Sequence, residues 1–109
     1  MNIRNENKKL YMDDITIEFD SNIDMVLQFP QYCIILLMDD DVPDNNVMAI
    51  GYDGKIVWNI SDIIKFEYPE AYITISKEGK NSFSTVTYNG VKFIIDTVST
   101  QIIDKVITK

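Results

Sequence analysis

The 109-residue chain contains no histidine and a single cysteine, Cys33. The missing imidazole excludes Ser–His and Cys–His nucleophilic pairs and every histidine-ligated metal. A lone thiol excludes an internal disulfide framework and any multi-cysteine metal site. Only four glycines occur, at positions 51, 54, 79 and 90, each with a turn or strand context, so no glycine-rich loop can cradle a phosphate. Basic residues number 10 against 17 acids, a net charge of −7. No cationic surplus is left to release counterions from nucleic acid. The longest apolar run, residues 32–38, is too short to cross a bilayer. Residues 1–10 are polar and lack the apolar core of a signal peptide, and one unpaired cysteine suits a reducing compartment. The expectation is a bacterial cytoplasmic protein with no membrane or nucleic-acid partner, no cofactor and no metal.

The charge that is present is unevenly spread. Residues 11–54 hold ten acids (Asp13, Asp14, Glu18, Asp20, Asp24, Asp39, Asp40, Asp41, Asp44 and Asp53) and no base. The stretch 55–109 is close to balanced. A one-signed half reads either as a solvated surface or as a face whose field steers a basic partner.

Composition settles the structural class. The chain has 18 Ile, 8 Val and 7 Thr against four Leu and two Ala. Branched side chains lose rotamer freedom in a helix and pack well on a pleated surface. Turn signals then divide the chain into strands. Asp53-Gly54 predicts a two-residue hairpin pairing Gly51 with Ile56, Ala49 with Trp58 and Val47 with Ile60, all on one inner face. Asn89-Gly90 predicts a second, pairing Val86 with Phe93 and Ser84 with Ile95. Strands are also expected over 15–19, 25–29, 32–38 and 71–76, the continuous 32–38 run being central. Residues 61–67 read as a helical turn capped by Ser61 or an irregular link, and Pro69 bars anything longer. A turn over 97–100 leads into a tail, 98–108, that carries both helical and strand patterns and leans to strand. The first ten residues are expected to be a loosely ordered start to a single domain spanning 1–109.

The segment Asn46-Val-Met-Ala-Ile-Gly-Tyr-Asp-Gly-Lys-Ile-Val-Trp58 resembles the outer hairpin of one quinoprotein-type β-propeller repeat. Length excludes a whole propeller, which needs about four blades of four strands. Residues 15–109 resemble small uncharacterised all-β proteins of low-GC Gram-positive bacteria. Those share the central Asn-Val hairpin, a later Asn-Gly or Asp-Gly strand pair and an acidic turn before a lysine-terminated tail. The turn Asp96-Thr-Val-Ser-Thr-Gln101 departs from their usual Thr-Gly-Lys, and residues 39–45 match no pattern in them. The resemblance implies a fold type and no activity. Some such proteins sit beside toxins, which implies an immunity role.

Few constellations could carry chemistry. Asp39-Asp-Asp-Val-Pro-Asp-Asn-Asn46 has the oxygen density a hard cation wants, but as an EF-hand loop it puts Pro43 at position five, Asp44 at six and Ile50 at twelve. It reads as a solvated inter-strand loop. No two acids can be paired across a cleft for glycoside hydrolysis. Cys33 lies in the most apolar strand, where desolvation quenches a thiolate. Trp58, opposite Ala49, is a core anchor or, in a small barrel, a ligand-stacking ring. These features predict a non-enzymatic all-β domain: one antiparallel meander of about eight to ten short strands, as a sandwich or partly open barrel. Its leading role is binding a basic protein through Asp39, Asp40, Asp41 and Asp44, as an immunity-type inhibitor would. The alternatives are a small-ligand barrel around Trp58 and a homodimer joined through an edge strand.

Overall fold

The computed structural model describes residues 2–107 and shows an all-β chain of three antiparallel sheets, none closed into a barrel. Each sheet is a meander of consecutive strands. The first holds β1 (Ile3–Glu6), β2 (Lys9–Met12) and β3 (Ile15–Glu18). The second runs β4 (Ile23–Gln28), β5 (Cys33–Leu37), β6 (Val47–Ile50) and β7 (Ile56–Asn59). The third runs β8 (Tyr72–Gly79), β9 (Ser82–Thr87), β10 (Val91–Asp96) and β11 (Ile102–Ile107).

Two separate cores show how the sheets stack. Ile34, Leu36, Val47, Ala49 and Trp58 pack with Tyr72, Ile75, Phe83, Phe93 and Ile95 of the third sheet. Cys33, Ile35, Leu37 and Ile50 pack with Leu10 and Met12 of the first. Alternate residues of β5 therefore point into opposite cores, and all five are buried. A strand covered on both faces has no reason to alternate, which is why 32–38 reads as an unbroken apolar run. The second sheet is the middle layer.

Residues 1–10, expected to be loosely ordered, instead contribute β1 and the start of β2. The loops Asn7-Lys8 and Asp13-Asp14 are each two residues long, with Asn7 and Asp13 at positive φ (53° and 49°), a conformation these side chains tolerate. Leu10 and Met12 are fully buried against the middle sheet. At about 1.5–3 kcal/mol per fully buried large apolar side chain, they fasten the first sheet to it.

Both predicted hairpins form, with longer loops than expected. Gly54 donates to the Gly51 carbonyl (2.9 Å) and Gly51 to that of Lys55 (2.8 Å). Only Gly54 of the loop Tyr52-Asp53-Gly54 has positive φ (86°), as in a three-residue loop ending in a left-handed glycine. A Cβ on Gly54 would lie 2.9 Å from Ile15 Cγ2, so the turn also needs glycine where it rests on β3. Pairing shifts by one to Ile50 with Ile56, and a bulge at Val57 restores Ala49 opposite Trp58. Ile56, expected inward, is consequently exposed. The second hairpin repeats the loop with Gly90 (φ 89°), which donates to the Thr87 carbonyl at 3.0 Å. No bulge compensates there. Phe93 faces Thr85 and Ile95 faces Phe83, so Thr85 and Thr87 turn inward while Tyr88 is exposed.

Between β7 and β8 lies a single 3₁₀ turn, Ile60–Asp62. Its cap is Asn59 rather than Ser61: the Asn59 side chain accepts from Ser61 N–H while Asp62 accepts from Asn59 N–H. The tail is strand β11, reached through a turn in which Asp96 Oδ1 accepts from the N–H groups of Val98 (2.7 Å) and Ser99 (2.9 Å). Thr108 lies outside the described residues.

Candidate functional site

The acidic segment begins where β5 ends. Met38 N–H donates to the Asn22 carbonyl, and Asn22 returns its backbone N–H (3.1 Å) and its side-chain amide (2.9 Å) to Asp39 Oδ1. Asp39 thus ties the exit of β5 to the loop entering β4. These bonds, led by the Asn22 backbone donor, hold its carboxyl below the usual carboxylate range, helped by the charge of Lys8. Asp40 and Asp41 are exposed beside it. Together with Asp24 of β4, Lys8 and Asn22, these three aspartates line an open concavity of about 600 Å³. Asp44 is exposed and does not line it.

Of the four aspartates singled out from the sequence, three therefore converge and one does not. Asp24 joins them because Ile23 heads a strand whose second residue faces solvent. Lys8 arrives from the β1–β2 loop, a neighbour concealed until the first ten residues are seen as a hairpin. Nine of the ten acids in 11–54 are exposed, Asp39 being half-buried. Among the described residues, no three His, Cys, Asp or Glu side chains are grouped to hold a metal ion.

The chain turns sharply beyond Asp44. Asn45 has φ 51°, and its N–H donates to the Glu70 carbonyl at 2.7 Å. The next residue, Asn46, is buried, and its amide is fully used. Nδ2 donates to the carbonyls of Leu37 and Tyr72, and Oδ1 accepts from Tyr72 N–H, all at 2.8 Å. The acidic loop is thereby sewn to the middle sheet at one end and to the third sheet at the other. No periodicity marks Asn46, because its role comes from burial beside unpaired backbone groups.

Trp58 lies inside the core between the second and third sheets, 6% exposed. Phe83 stacks on its ring (5.7 Å, 15°) and Tyr32 meets it edge-on (5.7 Å, 89°). Phe83 occupies one face of the ring, and the three open sheets enclose no barrel interior around it. The indole N–H is buried without a hydrogen bond of good geometry. It lies beside the Tyr32 hydroxyl, which donates to the Thr97 carbonyl; burial pushes that hydroxyl's pKa up and the indole pulls it partly back. Cys33 is fully buried, and desolvation pushes its thiol up to about 11, the reverse of what a nucleophile needs.

Among the described residues no helix is long and apolar enough to cross a membrane. The family model described as Domain of unknown function (DUF7957) matches residues 1–106. No curated protein and no solved structure matches the chain.

Proposed function

We propose, from the premise that the chain belongs to this domain family of unknown function, that it is a non-enzymatic interaction domain that binds a basic protein through its acidic concavity. The supporting observation is the convergence of Asp24, Asp39, Asp40 and Asp41 on one open surface, with Lys8 the base among them. A concave acidic surface concentrates field lines and raises the encounter rate with a cationic partner. Asp39 acts as a brace, and Asp40 and Asp41 make the contacts. An immunity-type inhibitor of a basic toxin is the role such a surface fits, acting in a reducing cytoplasm that keeps Cys33 a thiol.

The test is capture of partners from the native host by the intact chain, followed by a salt titration of each. A cognate basic partner loses affinity steeply with salt, and Asp40→Lys with Asp41→Lys removes it while leaving the fold intact. An affinity indifferent to salt and to both substitutions overturns the reading. A toxin-like gene immediately upstream, whose product the chain neutralises on co-expression, would identify the partner.

A further inference from the structure

Asn89-Gly90 is the one Asn-Gly pair in the sequence. Glycine has no Cβ to keep its own backbone nitrogen away from the side-chain carbonyl of the asparagine before it. In the folded chain the pair sits at the tip of the β9–β10 hairpin, where Asn89 and Tyr88 are both exposed. The Gly90 N–H donates to the Thr87 carbonyl at 3.0 Å, a turn bond that must open before its nitrogen can attack. Such bonds at exposed loop tips open at little free-energy cost.

The β6–β7 hairpin is the internal comparison. Asp53-Gly54 holds the same place in its loop, but Asp53 Oδ1 accepts from Lys55 N–H at 3.1 Å, and a Cβ on Gly54 would come within 2.9 Å of Ile15. That tip is pinned against β3, with its acidic side chain bonded inside its own loop. The Asn89 side chain instead reaches out of its hairpin, Nδ2 donating to Glu70 Oε1 at 3.3 Å. Glu70 is also the residue whose carbonyl accepts the Asn45 N–H, which closes the acidic loop onto the chain entering β8.

We propose that Asn89 is a self-modification site, converting to aspartate or isoaspartate and loosening the strap between Glu70 and Asn45. The Gly90 nitrogen bonds to Asn89 Cγ and gives up its proton. The Cγ–Nδ2 bond breaks, and the amide leaves as ammonia with that proton. Water then opens the cyclic imide. Addition at Cγ restores the backbone and leaves aspartate, while addition at the backbone carbonyl carbon leaves isoaspartate. The net change consumes one water and releases one ammonia. Either product puts a carboxylate where Glu70 had a donor, and the two like charges repel. Asn46 keeps its three bonds, so the loosening is confined to the end of the loop. Nothing in this chemistry requires that the acidic surface bind a protein.

The test holds the intact protein at pH 8 and 37 °C for weeks beside the same chain unfolded in urea, and maps both by mass spectrometry with separation of isoaspartyl peptides. Folded Asn89 should convert within about tenfold of the unfolded rate, as a readily opened turn allows. The folded-to-unfolded rate ratio for isomerisation at Asp53 should be at least tenfold lower than that for Asn89. An Asn89 that stays intact in the fold while the unfolded chain converts, or equal ratios at the two tips, would overturn the site. The consequence is read in Asn89→Asp, which keeps the Asp-Gly pair that already closes the other hairpin. Its Asn45 amide should exchange about two- to tenfold faster than in the wild type, the effect of losing one net hydrogen bond. Salt should shrink that difference. In a Glu70→Gln background, Asn89→Asp should leave Asn45 exchange unchanged. No acceleration in Asn89→Asp, or the same acceleration with Glu70→Gln, would overturn the strap.

Discussion

β5 and β11 are both rich in Ile, Leu and Val, yet every residue of β5 is buried and every residue of β11 is exposed. The difference lies in their neighbours. β5 has a strand on each edge and a sheet on each face, whereas among the described residues β11 has one strand and no covering sheet. The residues that distinguish them are Asp104 and Lys105, charges that a doubly covered strand could not hold unpaired. Hydrophobic content therefore identifies strands here, and the charges within them report which remain open.

The contrast can be broken most severely in β5. Leu36→Ala should cost about 2–5 kcal/mol in denaturant unfolding, since its neighbours cannot all collapse onto the space. Ile103→Ala in β11 should change stability by no more than about 0.5 kcal/mol. Equal costs at the two sites would mean that β11 is covered in solution. Next comes the anchor at the end of β5. Asn46→Ala leaves a buried N–H and two carbonyls without their partner, at about 1–3 kcal/mol each before relaxation, so a loss of about 3 kcal/mol is expected.

Thiol chemistry sharpens the comparison. At pH 8, Cys33 should react with a thiol reagent at least a hundredfold more slowly than a cysteine introduced by Ile103→Cys, because its thiolate is rarer and shielded. Its folded pKa is raised, so the associated stability is complete below the unfolded value near 9 and is lost as pH rises through about 11. The smallest effect belongs to β11. Asp96 is held below the usual carboxylate range by the N–H groups of Ser99 and Val98. Stability from that turn is present above the unfolded value near 3.8 and disappears as pH falls through the depressed one. Hydrogen exchange should therefore show β11 loosening in acid before β5 does. Asp96→Asn should make its exchange insensitive to pH across that window.

Much of this arrangement was legible. β-branched composition gave the class, the unbroken 32–38 run marked the central strand, and the turn after Asp96 led into a strand. Other features depend on details a dipeptide does not carry. Asp53-Gly54 and Asn89-Gly90 predict two-residue loops, but each supplies the last two residues of a three-residue loop, with only the glycine left-handed. The resulting slip is corrected at Val57 in one hairpin and left standing in the other, so Ala49 opposite Trp58 was predictable and Thr85 opposite Phe93 was not. Within the acidic segment, counting charges could not separate Asp39, which braces a loop, from Asp40 and Asp41, which do not. That distinction required Asn22, seventeen residues away in sequence.

The meander order of the three sheets also bears on how the chain acquires its shape. Among the described residues every hydrogen-bonded strand pair joins neighbours in sequence, so none of these pairings waits for a distant segment to close a long loop. All-β domains generally fold slowly because such closures come first and are entropically costly. Here hairpins can form locally and then stack, with the middle sheet receiving one cover from residues before it and the other from residues after it. The protein should therefore refold near the fast end of the range for all-β domains.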